Sequence, residues 1–119
     1  MVLRPPFVLL DDARADGEAR LYVDPVEIVV AHRLDEIAPA LDRLRAAAVV
    51  GLDAAGWLAY EAGAALETAA PARDRRGPLL WFGLFRGHRR LAAADIPALL
   101  PDPAGAWAGR PRPLLDRAA

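Results

Sequence analysis

The chain has 119 residues, of which 55% are hydrophobic, and its 15 basic and 16 acidic side chains leave a formal net charge of −1. This length fits one domain with a core of its own, and the scattered charges exclude the concentrated basic surface that nucleic-acid binding requires. The apolar runs are far shorter than a membrane span, so we predict that the protein contacts neither nucleic acid nor membrane.

The side-chain inventory excludes several kinds of catalysis. The sequence has no Ser, Cys, Lys, Asn or Gln, so a serine or cysteine nucleophile, a Schiff-base lysine and a disulfide are impossible. His32 and His88 are the two histidines and lack metal-binding spacing, so we predict no metal site. Carboxylates alone remain as candidate catalytic groups. The lack of cysteine favours a cytoplasmic location.

The first third of the chain predicts three strands. Apolar, partly β-branched runs that are typical of strands lie at 7–10, 20–23 and 26–31. Asp11 and Asp12 end the first strand, and Gly17 is expected to turn the chain with a positive φ. Asp24-Pro25 breaks the chain between the second and third strands. The third run is almost continuously apolar, which predicts a strand covered on both faces.

A change of period marks one helix. Leucine and isoleucine recur at three- and four-residue spacing, which places on one helix face Leu34, Ile37, Leu41 and Leu44. Pro39 is tolerated only in the first turn, and Gly51 favours a stop. The pattern therefore predicts a helix over 35–48.

The second half of the chain predicts two further strands and an irregular tail. The strand-like runs are 56–61 and 79–85, separated by a small-residue stretch at 62–66 that favours one or two helical turns and an arginine-rich loop at 68–78. Gly83 inside the last strand indicates a bulge or a close backbone approach. From residue 96 onward, repeated prolines favour an extended linker.

These elements predict an α+β fold. We expect an antiparallel-rich sheet of about four or five strands with one main helix packed on it, followed by a proline-rich C-terminal tail. Residues 1–95 would form the domain, and residues 96–119 the linker.

Four stretches, in this order and spacing, resemble a known family. They are Pro6-Phe7-Val8-Leu9-Leu10-Asp11-Asp12-Ala13, Asp24-Pro25 followed by 27–31, Gly56-Trp57-Leu58-Ala59-Tyr60-Glu61-Ala62-Gly63, and Leu80-Trp81-Phe82-Gly83-Leu84-Phe85. Together they are similar to the N-terminal domain of aminodeoxychorismate synthase component I (para-aminobenzoate synthase component I) and, more distantly, of anthranilate synthase component I.

The resemblance implies an enzyme that aminates chorismate to 4-amino-4-deoxychorismate, on the route to p-aminobenzoate and folate. In that family a glutamine amidotransferase subunit or domain supplies ammonia, and chorismate and Mg²⁺ bind in a larger C-terminal domain. That domain's signature uses Gln, Asn and Lys, which this chain lacks. We therefore expect no catalytic residue and no cofactor here. We also expect residues 96–119 to lead to the chorismate-binding domain, and the isolated piece to associate with itself.

The same resemblance implies a ligand pocket. In tryptophan-regulated relatives, a Leu-Leu-Glu-Ser-like motif and a downstream basic residue hold tryptophan. The matching positions here are Leu10, Asp11, Asp12 and Arg20. A carboxylate suits an α-ammonium and an arginine suits an α-carboxylate, but Asp12 stands where relatives have a hydroxyl residue. The alternatives are that the two aspartates only end a strand, or that the chain is a free-standing module binding an aromatic amino acid.

Structural and interdomain roles are expected for a further set of residues: Trp57, Tyr60, Glu61, Trp81 and Phe82. Alternating strand faces predict that half of the aromatic rings enter the core and half meet a covering surface. The two histidines read as solvent-edge residues. Two arginine clusters, at 73–76 and 86–90, suit either anion attraction or ordinary solvation.

Overall fold

The computed structural model describes residues 2–67 and 76–113. Within these ranges the chain forms six strands and one main helix: β1 Val8–Leu10, β2 Glu18–Tyr22, β3 Glu27–Ala31, α1 Ile37–Val49, β4 Asp53–Leu58, β5 Leu80–Phe85 and β6 Arg89–Ala92. The α+β class, the antiparallel pairing and the single main helix are confirmed. Of the loop predicted at 68–78, residues 68–75 lie outside the described residues.

The strands divide into two antiparallel sheets of three. The first has the order β1-β2-β6 and the second has the order β3-β5-β4. The prediction of one sheet with four or five strands was therefore wrong. The division follows from two short connections that cross between the sheets. One passes through Asp24, at φ 54°, and Pro25, which has no N–H to donate to a ladder. The other is formed by residues 86–88.

Helix α1 covers one face of the second sheet. A 3-10 turn, Leu34–Glu36, leads into it, and the Glu36 carboxylate accepts hydrogen bonds from the backbone amides of His32 and Arg33. Pro39 sits in the first turn of α1, where an amide has no helical acceptor to lose. Gly51 follows the helix at φ 85°. The predicted helix is confirmed, apart from this 3-10 entrance.

The main core lies between α1 and the second sheet. Its members are the buried side chains of Val29, Ala31, Ile37, Ala40, Ala47, Ala59, Ala62, Leu79, Leu80 and Leu84. Many are alanines, which bury little area each, so the few larger side chains carry most of the hydrophobic stabilisation. At the edge of this layer, Arg43 of α1 donates to Glu27 of β3 across 2.7 Å.

A smaller core joins the two sheets on the opposite face of β5. Tyr22 of β2, Ala55 of β4 and Phe85 of β5 are buried together, with Val8 of β1 packed against them. The Tyr22 and Phe85 ring centroids are 5.4 Å apart. This contact holds the first sheet against the Phe85 end of the second.

Glycines permit three close approaches. A Cβ on Gly56 would lie 2.0 Å from the Trp81 carbonyl oxygen, and one on Gly83 would lie 2.5 Å from the Phe85 ring, so the expected close approach at Gly83 is confirmed. The expected positive φ at Gly17 is wrong. That glycine is needed because a Cβ would lie 2.3 Å from the backbone oxygen of Asp12.

Other local predictions need correction. The strand expected at 56–61 begins earlier, at Asp53, and ends at Leu58. A 3-10 helix, Tyr60–Ala65, follows, so one or two helical turns do occur there. Strand β6 was not predicted. Strand β3 is covered on one face only, because Ile28 and Val30 are exposed.

The last described residues extend away from the sheets. Ile96 is buried beside two short 3-10 turns, and residues 101–113 contain no helix or strand and are exposed throughout. Among the described residues, no helix has both the length and the apolar character needed to cross a bilayer.

Replacing Leu84 tests the main core. Leu84 is fully buried on β5, so we expect Leu84→Ala to lower the free energy of unfolding by about 2–5 kcal/mol in urea titrations. Val49→Ala is the control. Val49 is 86% exposed at the end of α1, and its substitution should change stability by less than about 0.5 kcal/mol. Equal effects of the two substitutions would contradict this packing.

Candidate functional site

The face of the second sheet that α1 does not cover carries an apolar surface. In register across β3, β5 and β4, Val30 lies opposite Trp81, and Trp81 lies opposite Trp57. The next row on the same face runs from Ile28 through Gly83 to Ala55. The first sheet packs over the Ala55 end and leaves these rows partly uncovered. Ile28, Val30 and Trp57 therefore remain 43%, 37% and 41% exposed.

The N-terminal segment turns part of this face into a groove. Strand β1 and the residues before it lie beside the two tryptophans and enclose ≈ 430 Å³. We call this feature the tryptophan groove, and its lining residues are Pro6, Phe7, Val8, Leu9, Gly56, Trp57 and Trp81. Every lining residue is apolar or glycine. Such a groove suits an apolar partner surface and offers few groups for acid–base chemistry.

The residues predicted for structural or interdomain roles separate into three places. Trp57 and Trp81 line the tryptophan groove. Phe82 points to the other face of β5 and packs against the main core. Tyr60 is 97% exposed, so its ring does not pack as expected, and Glu61 lies in the first turn of the 3-10 helix, where a carboxylate complements the helix dipole.

The residues predicted for a tryptophan-like pocket lie around the end of β1. Leu10 and Arg20 are directly opposite one another in the β1–β2 ladder. Arg20 also lies opposite Arg90 of β6. Asp11 is exposed just beyond β1.

The Asp12 carboxylate is already engaged. Arg14 donates to it from Nε at 3.0 Å, from Nη2 at 2.5 Å and from its backbone amide at 3.1 Å. The side-chain bond from Arg14, followed by the backbone bond, lowers the pKa of Asp12 below its ordinary value. This is the local turn geometry that the alternative reading of the two aspartates predicted.

A second concavity lies where the chain crosses between the sheets. The crossover pocket, as we call it, has a volume of ≈ 350 Å³ and is lined by Leu21, Val23, Asp24, Arg86, Gly87, His88 and Arg89. His88 lies between the two sheets. Its Nδ1 is 3.1 Å from a carboxylate oxygen of Asp53, and its ring centroid is 5.2 Å from that of Tyr22.

Sequence reasoning did not find this pocket. The arginine cluster at 86–90 is visible in the sequence, and His88 is exposed as expected, but its contact with Asp53 was not predicted. Asp53 and Asp24 come from distant parts of the chain, and no sequence spacing links them to His88. In the part of the chain that the structure describes, no three histidine or carboxylate side chains are grouped so that they could hold a metal ion.

Comparison of the chain with protein-family models, curated proteins and solved structures finds no match.

Replacing Arg14 tests the origin of the low Asp12 pKa. We expect Arg14→Gln to raise the Asp12 pKa toward its ordinary value, measured by carboxyl ¹³C NMR titration, because the charged donor is gone. In the wild-type protein the pair adds stability above the ordinary carboxyl pKa and loses it as pH falls through the lowered value.

The control is Asp35, whose pKa is lowered by a separate bond from Arg33. It should titrate identically in both proteins. An Asp12 midpoint that does not move would show that another group holds this carboxylate.

Proposed function

We propose that this chain is a non-catalytic N-terminal domain of aminodeoxychorismate synthase component I. The main support for this proposal is that three of the four family-like stretches meet in one place. Phe7 comes from the first stretch, Trp57 from the third and Trp81 from the fourth, and all three line the tryptophan groove. These residues are far apart in sequence, so their convergence gives the resemblance a spatial counterpart.

The exposed sheet face supports a docking role. Tryptophan is enriched at the centres of protein interfaces, where a large ring excludes water on contact. The apolar row extends from the groove across Trp81 to Val30 on β3, so the available surface is wider than one side chain. Contiguous apolar patches on a domain commonly mark the place where a partner packs. We assign this face to the chorismate-binding domain.

The side-chain inventory supports a scaffold role rather than a catalytic one. Amination of chorismate requires substrate activation and, in this family, a lysine nucleophile, and the chain has no lysine. In the proposed assembly the chorismate-binding domain holds substrate and Mg²⁺, and a glutamine amidotransferase supplies ammonia. The free chain, with its groove uncovered, would associate with itself. If the free chain co-elutes with the amidotransferase instead of associating with itself, the exposed face would be assigned to that subunit.

A charged substitution in the groove tests the docking role. In the longer protein that joins this chain to a chorismate-binding domain, we expect Trp57→Arg to abolish most chorismate amination. An unpaired buried charge costs about 3–5 kcal/mol at an interface. In the 119-residue chain, the unfolding midpoint should change less than amination does, since Trp57 is already 41% exposed there.

The matched control for this test is Val49→Arg, which adds the same charge at an exposed position on α1 and should leave amination intact. Unchanged amination in Trp57→Arg would overturn the docking role. A stop codon directly after Ala119 in the gene would contradict the proposal that the chain is part of a larger enzyme.

A regulatory role is the second candidate, and one observation favours it. Leu10 and Arg20 are cross-strand partners at the end of β1, as a pocket for an amino acid with an apolar side chain and a carboxylate would require. The capture of Asp12 by Arg14 weighs against it, because that carboxylate is then less available for an α-ammonium.

Calorimetry with tryptophan decides between the two roles. The scaffold role predicts no saturable heat from the 119-residue chain. Saturable binding that Arg20→Gln weakens about tenfold, the loss expected for one charge-assisted contact, would support the regulatory module. Arg45→Gln, on the exposed face of α1, is the matched control and should not alter the result.

A further inference from the structure

The crossover pocket is formed by the two connections that pass between the sheets. The first connection supplies Val23 and Asp24, just after β2. The second supplies residues 86–89, between β5 and the start of β6. Because Tyr22 packs against Phe85 directly beside them, the two connections are held next to one another. Two segments that are distant in sequence therefore contribute to one concave surface.

The charge of the lining is predominantly positive. Arg86 and Arg89 are cationic, and His88 between them becomes cationic when protonated. Asp24 is the single carboxylate in the lining. A concave surface with excess positive charge raises the local concentration of anions more than a flat one does.

His88 is oriented by contacts outside the pocket. An ionised carboxylate only accepts hydrogen bonds, so Asp53 fixes the proton on Nδ1 of His88. The Tyr22 ring packs against the imidazole from β2. With Nδ1 engaged, Nε2 is the ring nitrogen available to a ligand, and in the protonated ring it is a donor. A carboxylate on one nitrogen and an anion on the other would place the imidazolium between two negative charges.

We propose that the crossover pocket binds a small oxyanion, a phosphate or carboxylate group, through the guanidinium of Arg86 and, in the protonated ring, the Nε2–H of His88. Guanidinium presents paired N–H donors that match two oxygens of such a group. Asp24 opposes the same ligand and limits its affinity. The proposal is independent of the role of the chain in chorismate amination, because it uses no residue of the tryptophan groove.

The chain provides its own internal reference for the test. It has two histidines, and His32 is an exposed residue at the end of β3, outside the pocket lining. We would follow the ring C–H signals of both by NMR while adding sodium phosphate or, separately, sodium acetate at fixed pH. Sodium chloride would hold the ionic strength constant. We expect a saturable shift of His88 and no saturable shift of His32.

Two substitutions that change the charge of the pocket in opposite directions test the site further. Arg86→Gln should weaken binding about three- to tenfold, and Asp24→Asn should strengthen it about threefold, as expected for single partly solvated charges. Asparagine also tolerates the positive φ at this position. Arg45→Gln, on the exposed face of α1, is the control and should leave the affinity unchanged.

The outcomes distinguish a phosphate ligand from a carboxylate ligand, and both from a failure of the proposal. Saturation with phosphate alone would assign a phosphate group, and tighter binding of acetate would assign a carboxylate. Shifts of His88 that never saturate, or that follow those of His32, would overturn the site. So would an affinity that Arg86→Gln leaves unchanged.

Discussion

The structure depends on the packing of β5 on both of its faces. This strand is the centre of the second sheet, hydrogen-bonded to β3 on one side and β4 on the other. Leu80 and Leu84 enter the core beneath α1, while Phe85 enters the smaller core beneath the first sheet. The main core is rich in alanine and the smaller core has three buried members, so each relies on few large side chains, several of them from this one strand. If β5 became disordered, α1 would lose its packing on the second sheet, the two sheets would lose their shared core, and the tryptophan groove would be lost with them.

The position of the two candidate sites follows from that packing. Phe85 lies at the end of β5, and its contact with Tyr22 holds the first sheet over that end of the second sheet. Toward the other end, β1 lies beside Trp57 and Trp81 without filling the space next to them, and this space is the apolar groove. The connections between sheets must pass close to Phe85, and their polar residues collect there as the crossover pocket. One asymmetric contact therefore separates an apolar surface from a cationic one.

Local chemistry in the sequence predicts the elements better than their arrangement. The 3.6-residue period identifies α1, and the β-branched run identifies β3, because these signals depend only on near neighbours. Strand β6 escapes this reasoning, since Arg89 and Arg90 resemble a solvated loop until a partner strand is present. The division into two sheets also escapes it. It depends on the two crossing connections and on Phe85 meeting Tyr22, a contact between distant residues that leaves no periodic signal. Strand alternation alone predicts that half of the aromatic rings meet a covering surface, but it does not say which half, and no sequence signal links His88 to Asp53.

The two faces of the second sheet differ from those of a typical two-layer fold. Sheets in a two-layer fold normally bury one face and present a polar face to water. The second sheet instead presents Val30, Trp81 and Trp57 in one row on the side away from the helix. Strand β3 has apolar side chains on both faces, and only the face toward α1 is buried. An exposed apolar face of this kind commonly marks a surface that another protein covers. This property, more than any single side chain, supports the proposal that the chain packs on a partner.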